Sequence, residues 1–169
     1  MEDNFGICFC RAEIVDKRTL PKHGESEMEV ATGYFAKAKA YEEQGYTLIS
    51  IALKDAWFLS NDLKITSLKE LAPTPEILKL KDDPEEYEKR FRAEVLSKID
   101  WCALYSKLCS IARAENKEKV VFLCYESPEK FCHRHIVAKW LGEKTCVPIK
   151  EVVLQPRPAY DIFDSDSLA

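Results

Sequence analysis

The chain has 169 residues, of which 46% are hydrophobic and 32% charged, and its formal net charge is −4. These values are typical of one globular domain with a real core. The acidic balance disfavours broad nucleic-acid binding, which depends on a basic face that neutralises phosphates, although it leaves room for a local basic cleft. No apolar run approaches the roughly 20 residues that cross a bilayer, so we expect no membrane partner.

The cysteines and the N-terminus indicate the compartment. Seven cysteines are present, and Met1–Asn4 is acidic with no apolar stretch behind it. An odd cysteine count without a secretory signal favours reduced thiols and a cytoplasmic location. No paired C-x-x-C element occurs, which disfavours an ordinary zinc ribbon or finger.

The first half of the chain begins with an extension at residues 1–26. The α/β pattern then starts with a strand at 28–32, a helix at 34–43 that Gly45 ends, and an apolar strand at 46–53. Residues 54–73 show no clear period. Three helices follow, and their predicted N-caps are Thr74, Asp83 and Asp100.

The second half continues with a strand at 119–125, a turn and helix at 127–142, and a strand at 145–153. Residues 156–169 are acidic and predict a flexible tail. We therefore predict a single three-layer α/β domain over 27–155. Its small, mostly parallel sheet has about four or five strands, with helices on both faces.

The strand-to-helix junction at 124–135 concentrates reactive side chains where an α/β protein usually binds its ligand. Helical phase points His133 and Arg134 toward the buried side of the helix and His135 toward solvent. Arg134 and the positive end of the helix predict an anion-binding pocket. The same field favours a thiolate at Cys132, which makes Cys132 a candidate nucleophile. His133 and Glu126 are candidates for acid–base work, and Cys124 for a ligand contact.

A second strand-to-helix turn supplies further candidate ligand contacts. Thr32 ends the first predicted strand, and Gly33 follows it in the turn, where a glycine permits close backbone approach. Tyr34 or Trp57 is a candidate for stacking on a ring.

Structural readings compete with these roles. Cys124 in an apolar strand is typical of a core residue. Glu126 has an equal claim to an ion pair with Arg134 that fixes the turn. The spacing of Cys124, Cys132 and the histidines matches no common metal site, so we predict no metal and no cofactor.

Several ordered motifs resemble the bacterial and phage family known as domain of unknown function 488. They are Leu123-Cys124-Tyr125-Glu126, Phe131-Cys132-His133-Arg134-His135, Thr32-Gly33-Tyr34-Phe35-Ala36-Lys37, Ile49-Ser50-Ile51-Ala52, Leu71-Ala72-Pro73 and the stretch 87–96. The resemblance covers residues 28–153. It implies a compact α/β fold and a polar cluster of Cys124, Glu126, Cys132, His133 and Arg134, and it implies no established reaction. Before Trp57 this chain carries Lys54 where the resembling branch usually has an Arg or a Pro.

Three functions remain open at this stage. The first is an enzyme or sensor that acts on a phosphate-bearing nucleotide or a nucleic-acid base. The second is a non-catalytic binding or accessory module in which the cysteine, histidine and arginine are structural. The third is a thiol redox or metal-binding protein. The residues indicate no oligomeric state.

Overall fold

The apolar run at 120–124 forms the central strand of the sheet. The structure, a computed structural model, describes residues 28–54, 56, 58–59 and 61–154. Within them a five-stranded, all-parallel sheet has the order β3-β2-β4-β1-β5. The strands are β1 (Glu29–Tyr34), β2 (Tyr46–Ser50), β3 (Ile65–Ser67), β4 (Lys119–Cys124) and β5 (Lys150–Glu151). Since β4 is buried on both faces, its continuous apolar sequence is what a central parallel strand requires.

Helices connect and cover the strands. The α-helices are α1 (Ala38–Glu43), α2 (Pro75–Leu78), α3 (Pro84–Glu94), α4 (Trp101–Ala114) and α5 (His133–Thr145). Short 3₁₀-helices lie at Phe35–Lys37, Lys69–Leu71 and Leu96–Lys98. In the described part of the chain, no helix has both the length and the apolar character needed to span a membrane.

The three predicted N-caps are confirmed. Thr74 accepts a hydrogen bond from the backbone N–H of Ile77 through its side-chain oxygen. Asp83 and Asp100 do the same three residues ahead, for α3 and α4. These caps depend only on local sequence, because each satisfies a free N–H of its own first turn.

Two hydrophobic cores lie on opposite faces of the sheet. One contains Phe91, Leu108 and Val137, from α3, α4 and α5. The other contains Phe35 and Tyr41, from the segment that includes α1. The predicted single α/β domain with helices on both faces is therefore confirmed.

Several element ends differ from the sequence-based expectation. The turn and helix expected over 127–142 are a turn followed by α5, which begins at His133 and runs past the expected end to Thr145. Cys146 then adopts a left-handed conformation with φ 58°, which ends the helix. Because α5 is longer, the strand expected over 145–153 is reduced to β5. In a separate part of the chain, the stretch 54–73, which was expected to be irregular, contains β3. The predicted extension at 1–26 and tail at 156–169 lie outside the described residues.

Candidate reaction centre at the carboxyl edge of the sheet

The ends of β2 and β4 and the start of α5 meet at one edge of the sheet. Cys124 is the last residue of β4, Cys132 is the N-cap of α5, and His133 is the first residue of that helix. We call Cys124, Cys132 and His133 the thiol–imidazole cluster. Each member is buried, with between 4% and 5% of its surface exposed.

One backbone oxygen fixes the orientation of the His133 ring. His133 Nε2 lies 2.8 Å from the carbonyl oxygen of Ile51. Because a carbonyl only accepts hydrogen bonds, Nε2 carries the hydrogen and Nδ1 is directed elsewhere. Phe91 packs against the ring with its centroid at 5.6 Å. The backbone N–H of Ile51 in turn donates to Leu123 of β4, so the sheet itself positions this acceptor.

The free ring nitrogen faces both thiols. His133 Nδ1 lies 3.7 Å from Cys124 Sγ and 3.8 Å from Cys132 Sγ. Neighbouring residues inside a helix diverge, but Cys132 precedes the helix in an extended conformation with φ −155° and ψ 143°. Its sulfur can therefore lie beside the imidazole of the next residue. The three groups form one compact constellation of a base and two thiols.

The pKa values of the two thiols are shifted in opposite directions. The Cys124 thiol, hydrogen-bonded to Cys132, lowers the pKa of Cys132, and His133 and the backbone N–H of Arg134 add to that effect against the cost of burial. The same hydrogen bond, together with burial, raises the pKa of Cys124. The cluster thus favours a Cys132 thiolate that receives a hydrogen bond from a neutral Cys124.

Arg134 turns away from this cluster into a second polar group. Its guanidinium is completely buried. Nε lies 3.2 Å from Glu151 Oε2, and Nη1 donates to the backbone carbonyl of Glu126 over 2.6 Å. Thr32 Oγ1 donates to the same Glu151 oxygen over 2.7 Å. We call Thr32, Arg134 and Glu151 the arginine–glutamate network.

The network holds Glu151 as a carboxylate. Burial opposes its ionisation, but the nearby His135 and the hydrogen bonds from Thr32 and Arg134 outweigh that cost and lower the pKa to about 2. His135 remains 38% exposed, with Nε2 3.8 Å from Glu151 Oε2. A surface depression of about 610 Å³ lies against Thr32, His135 and Glu151.

The remaining predicted site residues are distributed around the two groups. The Glu126 carboxylate is 47% exposed and lies 3.7 Å from Lys130, so the arginine contacts this residue through its carbonyl. A Cβ on Gly33 would lie 2.5 Å from the Tyr41 ring, which accounts for the glycine. Tyr34 packs edge-on to Tyr41. Trp57 lies outside the described residues. Ligand binding by Arg134, Thr32, Gly33, Tyr34 and Trp57 stays a prediction.

An aromatic patch borders the same edge of the sheet. Buried Phe35 contacts Tyr125 at 4.9 Å and Phe58 at 6.5 Å between ring centroids. Tyr125 is 41% exposed and Phe58 50% exposed. Tyr125 directly follows Cys124, and its hydroxyl donates to the carbonyl of Lys54. Exposed rings beside a reactive cluster offer a surface on which a planar base can stack.

Sequence reasoning missed Ile51, Glu151 and the patch formed by Phe58 and Tyr125. Ile51 acts through its backbone, which leaves no mark in the side-chain pattern. A carboxylate inside the apolar stretch 147–154 was the available signal for Glu151, because a buried charge needs a partner. The signal for Tyr125 was its place between Cys124 and Glu126.

Comparison with known families shows which protein family the chain belongs to. A family model described as "Active DUF488-N3 subclade" matches residues 51–145, which is more than half of the chain. The chain belongs to the DUF488 family. The matched range contains the whole thiol–imidazole cluster and the Ile51 carbonyl, whereas Thr32 and Glu151 lie outside it. No curated protein and no solved structure matches the chain significantly.

Proposed function

We propose that this DUF488 protein is an enzyme that acts on a nucleotide or an unpaired nucleic-acid base, with Cys132 as its nucleophile. The observation that carries the proposal is the orientation of His133. Its Nε2–H is held by Ile51, and its Nδ1 faces the sulfurs of Cys124 and Cys132 at hydrogen-bond range. Nucleophile, proton carrier and orienting acceptor are the three parts that nucleophilic catalysis requires.

The proposed reaction is a hydrolysis in two steps. Cys132 passes its proton to His133 Nδ1 and its sulfur attacks an electrophilic centre of the substrate, so that a bond to sulfur forms and the leaving group departs with that proton. His133 then takes a proton from water, whose oxygen attacks the same centre and releases the thiolate. The sum is the addition of one water across the broken bond, with no change of oxidation state.

Three features support this substrate class. The exposed rings of Phe58 and Tyr125 suit a planar base. The positive end of the α5 macrodipole suits an anionic group such as a phosphate. The near-complete burial of the cluster favours a base that enters singly over one held in a duplex. The description of the matched family model as an active subclade also favours an enzyme.

Turnover tests the proposal. The full chain, treated with a chelator, is incubated with the four common ribonucleoside 5′-monophosphates and with a mixed-sequence single-stranded DNA. Mass spectrometry then identifies the products. We expect hydrolysis of at least one substrate, and a loss of at least about 100-fold in Cys132→Ser. Cys109→Ser, a half-buried thiol of α4, is the matched control and keeps full activity. Undiminished turnover by Cys132→Ser, or no product from any substrate, would contradict the proposal.

A further inference from the structure

The thiol–imidazole cluster has a second chemical capacity, which is the coordination of a thiophilic metal ion. Two sulfurs and one ring nitrogen, all buried, offer ligand atoms that lie within 4.8 Å of one another. Among ordinary divalent cations in cells, zinc suits two thiolates and an imidazole best, while magnesium and calcium prefer oxygen.

The distances fit a tetrahedral ion. With zinc at about 2.3 Å from sulfur and about 2.0 Å from nitrogen, tetrahedral angles place the two kinds of ligand atom about 3.5 Å apart. The observed separations from His133 Nδ1 are 3.7 Å to Cys124 Sγ and 3.8 Å to Cys132 Sγ. Both nitrogen–sulfur separations are therefore close to those around a tetrahedral ion, and all three ligand atoms lie within 4.8 Å of one another.

The hydrogen bond at the other ring nitrogen of His133 also favours metal binding. A metal-binding histidine normally donates its other ring N–H to a carbonyl or carboxylate, which fixes the tautomer and aims the free nitrogen at the ion. The Ile51 carbonyl does this at 2.8 Å from Nε2. The ring is thus already in the tautomer that leaves Nδ1 available to a metal.

We propose that Cys124, Cys132 and His133 bind one zinc ion, and that zinc switches the reaction centre off. This inference rests on the proposed function of the same site. Zinc takes the sulfur lone pair with which Cys132 would attack and the Nδ1 position that would hold the proton. Binding releases the thiol protons to solvent and involves no electron transfer, so removal of the ion by a chelator restores the free cluster.

Direct binding tests the metal site without any substrate. Cobalt(II), which reports thiolate coordination through its absorption spectrum, is titrated into the chelator-treated full chain, and zinc is then used to displace it. We expect one site per chain, with a zinc Kd below about 1 µM. Cys124→Ser and His133→Gln each weaken binding at least about 10-fold, whereas Cys109→Ser has no effect. Absence of a thiolate–cobalt band, or equal binding by Cys124→Ser, would overturn the proposal.

A second measurement uses the unaltered protein, so its result does not depend on whether the variants fold. Equimolar zinc should protect Cys132 from alkylation by iodoacetamide and leave the exposed Cys102 and Cys146 reactive. Alkylation of Cys132 at the same rate with and without zinc contradicts the metal site.

The switch has its own readout. We expect zinc to abolish turnover and chelator to restore it; turnover that needs zinc would overturn the inhibitory role while leaving the metal site intact. Zinc binding by a protein with no turnover on any nucleotide would instead refute the proposed enzyme.

Discussion

Two neighbouring residues, His133 and Arg134, belong to two groups of opposite character. His133 joins two thiols in a cluster whose reactive atoms face one another, with Nδ1 3.7 Å from Cys124 Sγ and 3.8 Å from Cys132 Sγ. Arg134 joins a fully ionised pair with Glu151 and directs two of its nitrogens to acceptors of the protein itself. The strongest charge at the junction therefore serves the fold, and the weaker acids and base next to it are left available for chemistry.

The largest expected effect is on the arginine. Arg134→Met leaves the Glu151 carboxylate partly buried without its cation, so the free energy of unfolding should fall by about 3–5 kcal/mol. Denaturant unfolding measures it. Arg90→Met, which breaks an ion pair on the surface of α3, is the matched control and should lower the free energy of unfolding far less, because solvent screens an exposed pair. Equal losses in the two variants would show that Arg134 has no special structural role.

The pH dependence of the free energy of unfolding tests Glu151, the partner of Arg134 in the same ion pair. The pKa of Glu151 is about 2 in the folded state against an ordinary value of 4.5. Its stabilising contribution is present above about pH 4.5 and is lost as the pH falls toward 2, and it amounts to at most about 3 kcal/mol. Glu151→Gln should therefore be less stable than the parent at pH 7, with a difference that narrows below pH 4. A difference independent of pH would refute an ionised Glu151.

A smaller effect is expected at Thr32. Thr32→Val keeps the shape of this buried residue and removes one hydrogen bond to Glu151, which should cost about 1 kcal/mol. Thr66→Val on the half-buried edge strand β3 is the control, and its unfolding free energy should change by less than about 0.5 kcal/mol. If both substitutions have the same effect, Thr32 does not support the network.

The thiol–imidazole cluster should contribute least to stability. Cys132→Ser replaces one small buried group by another and should change the free energy of unfolding by less than about 1 kcal/mol, although it removes the nucleophile. Thermal and denaturant unfolding of this variant give the value. A loss as large as that of Arg134→Met would mean that the cluster is structural, which is the non-catalytic alternative.

Local chemistry determined how much of this molecule was predictable. The N-caps at Thr74, Asp83 and Asp100 and the apolar central strand follow from neighbouring residues, and the buried positions of His133 and Arg134 follow from helical phase. The sheet order β3-β2-β4-β1-β5 places β4 between β1 and β2, and no local pattern contains that pairing.

The site was harder to predict for the same reason. His133 meets the backbone of Ile51 across 82 positions of sequence, and Thr32 meets Glu151 across 119. A backbone acceptor has no sequence signature. The contact of Cys132 with His133 depends on where α5 begins, and helix boundaries are the least certain feature of a sequence-based assignment.

The reactivity of each cysteine in the folded, zinc-free protein tests most directly whether Cys132 is the nucleophile. At pH 6 an ordinary thiol is less than about 1% ionised, and the thiolate is the form that iodoacetamide attacks. A short pulse of the reagent, followed by mass spectrometry of all seven cysteines, compares them in one sample; the unfolded chain is the control. We expect Cys132 to be alkylated first despite its burial. If the exposed Cys102 and Cys146 react first and Cys132 is spared, Cys132 is not the nucleophile.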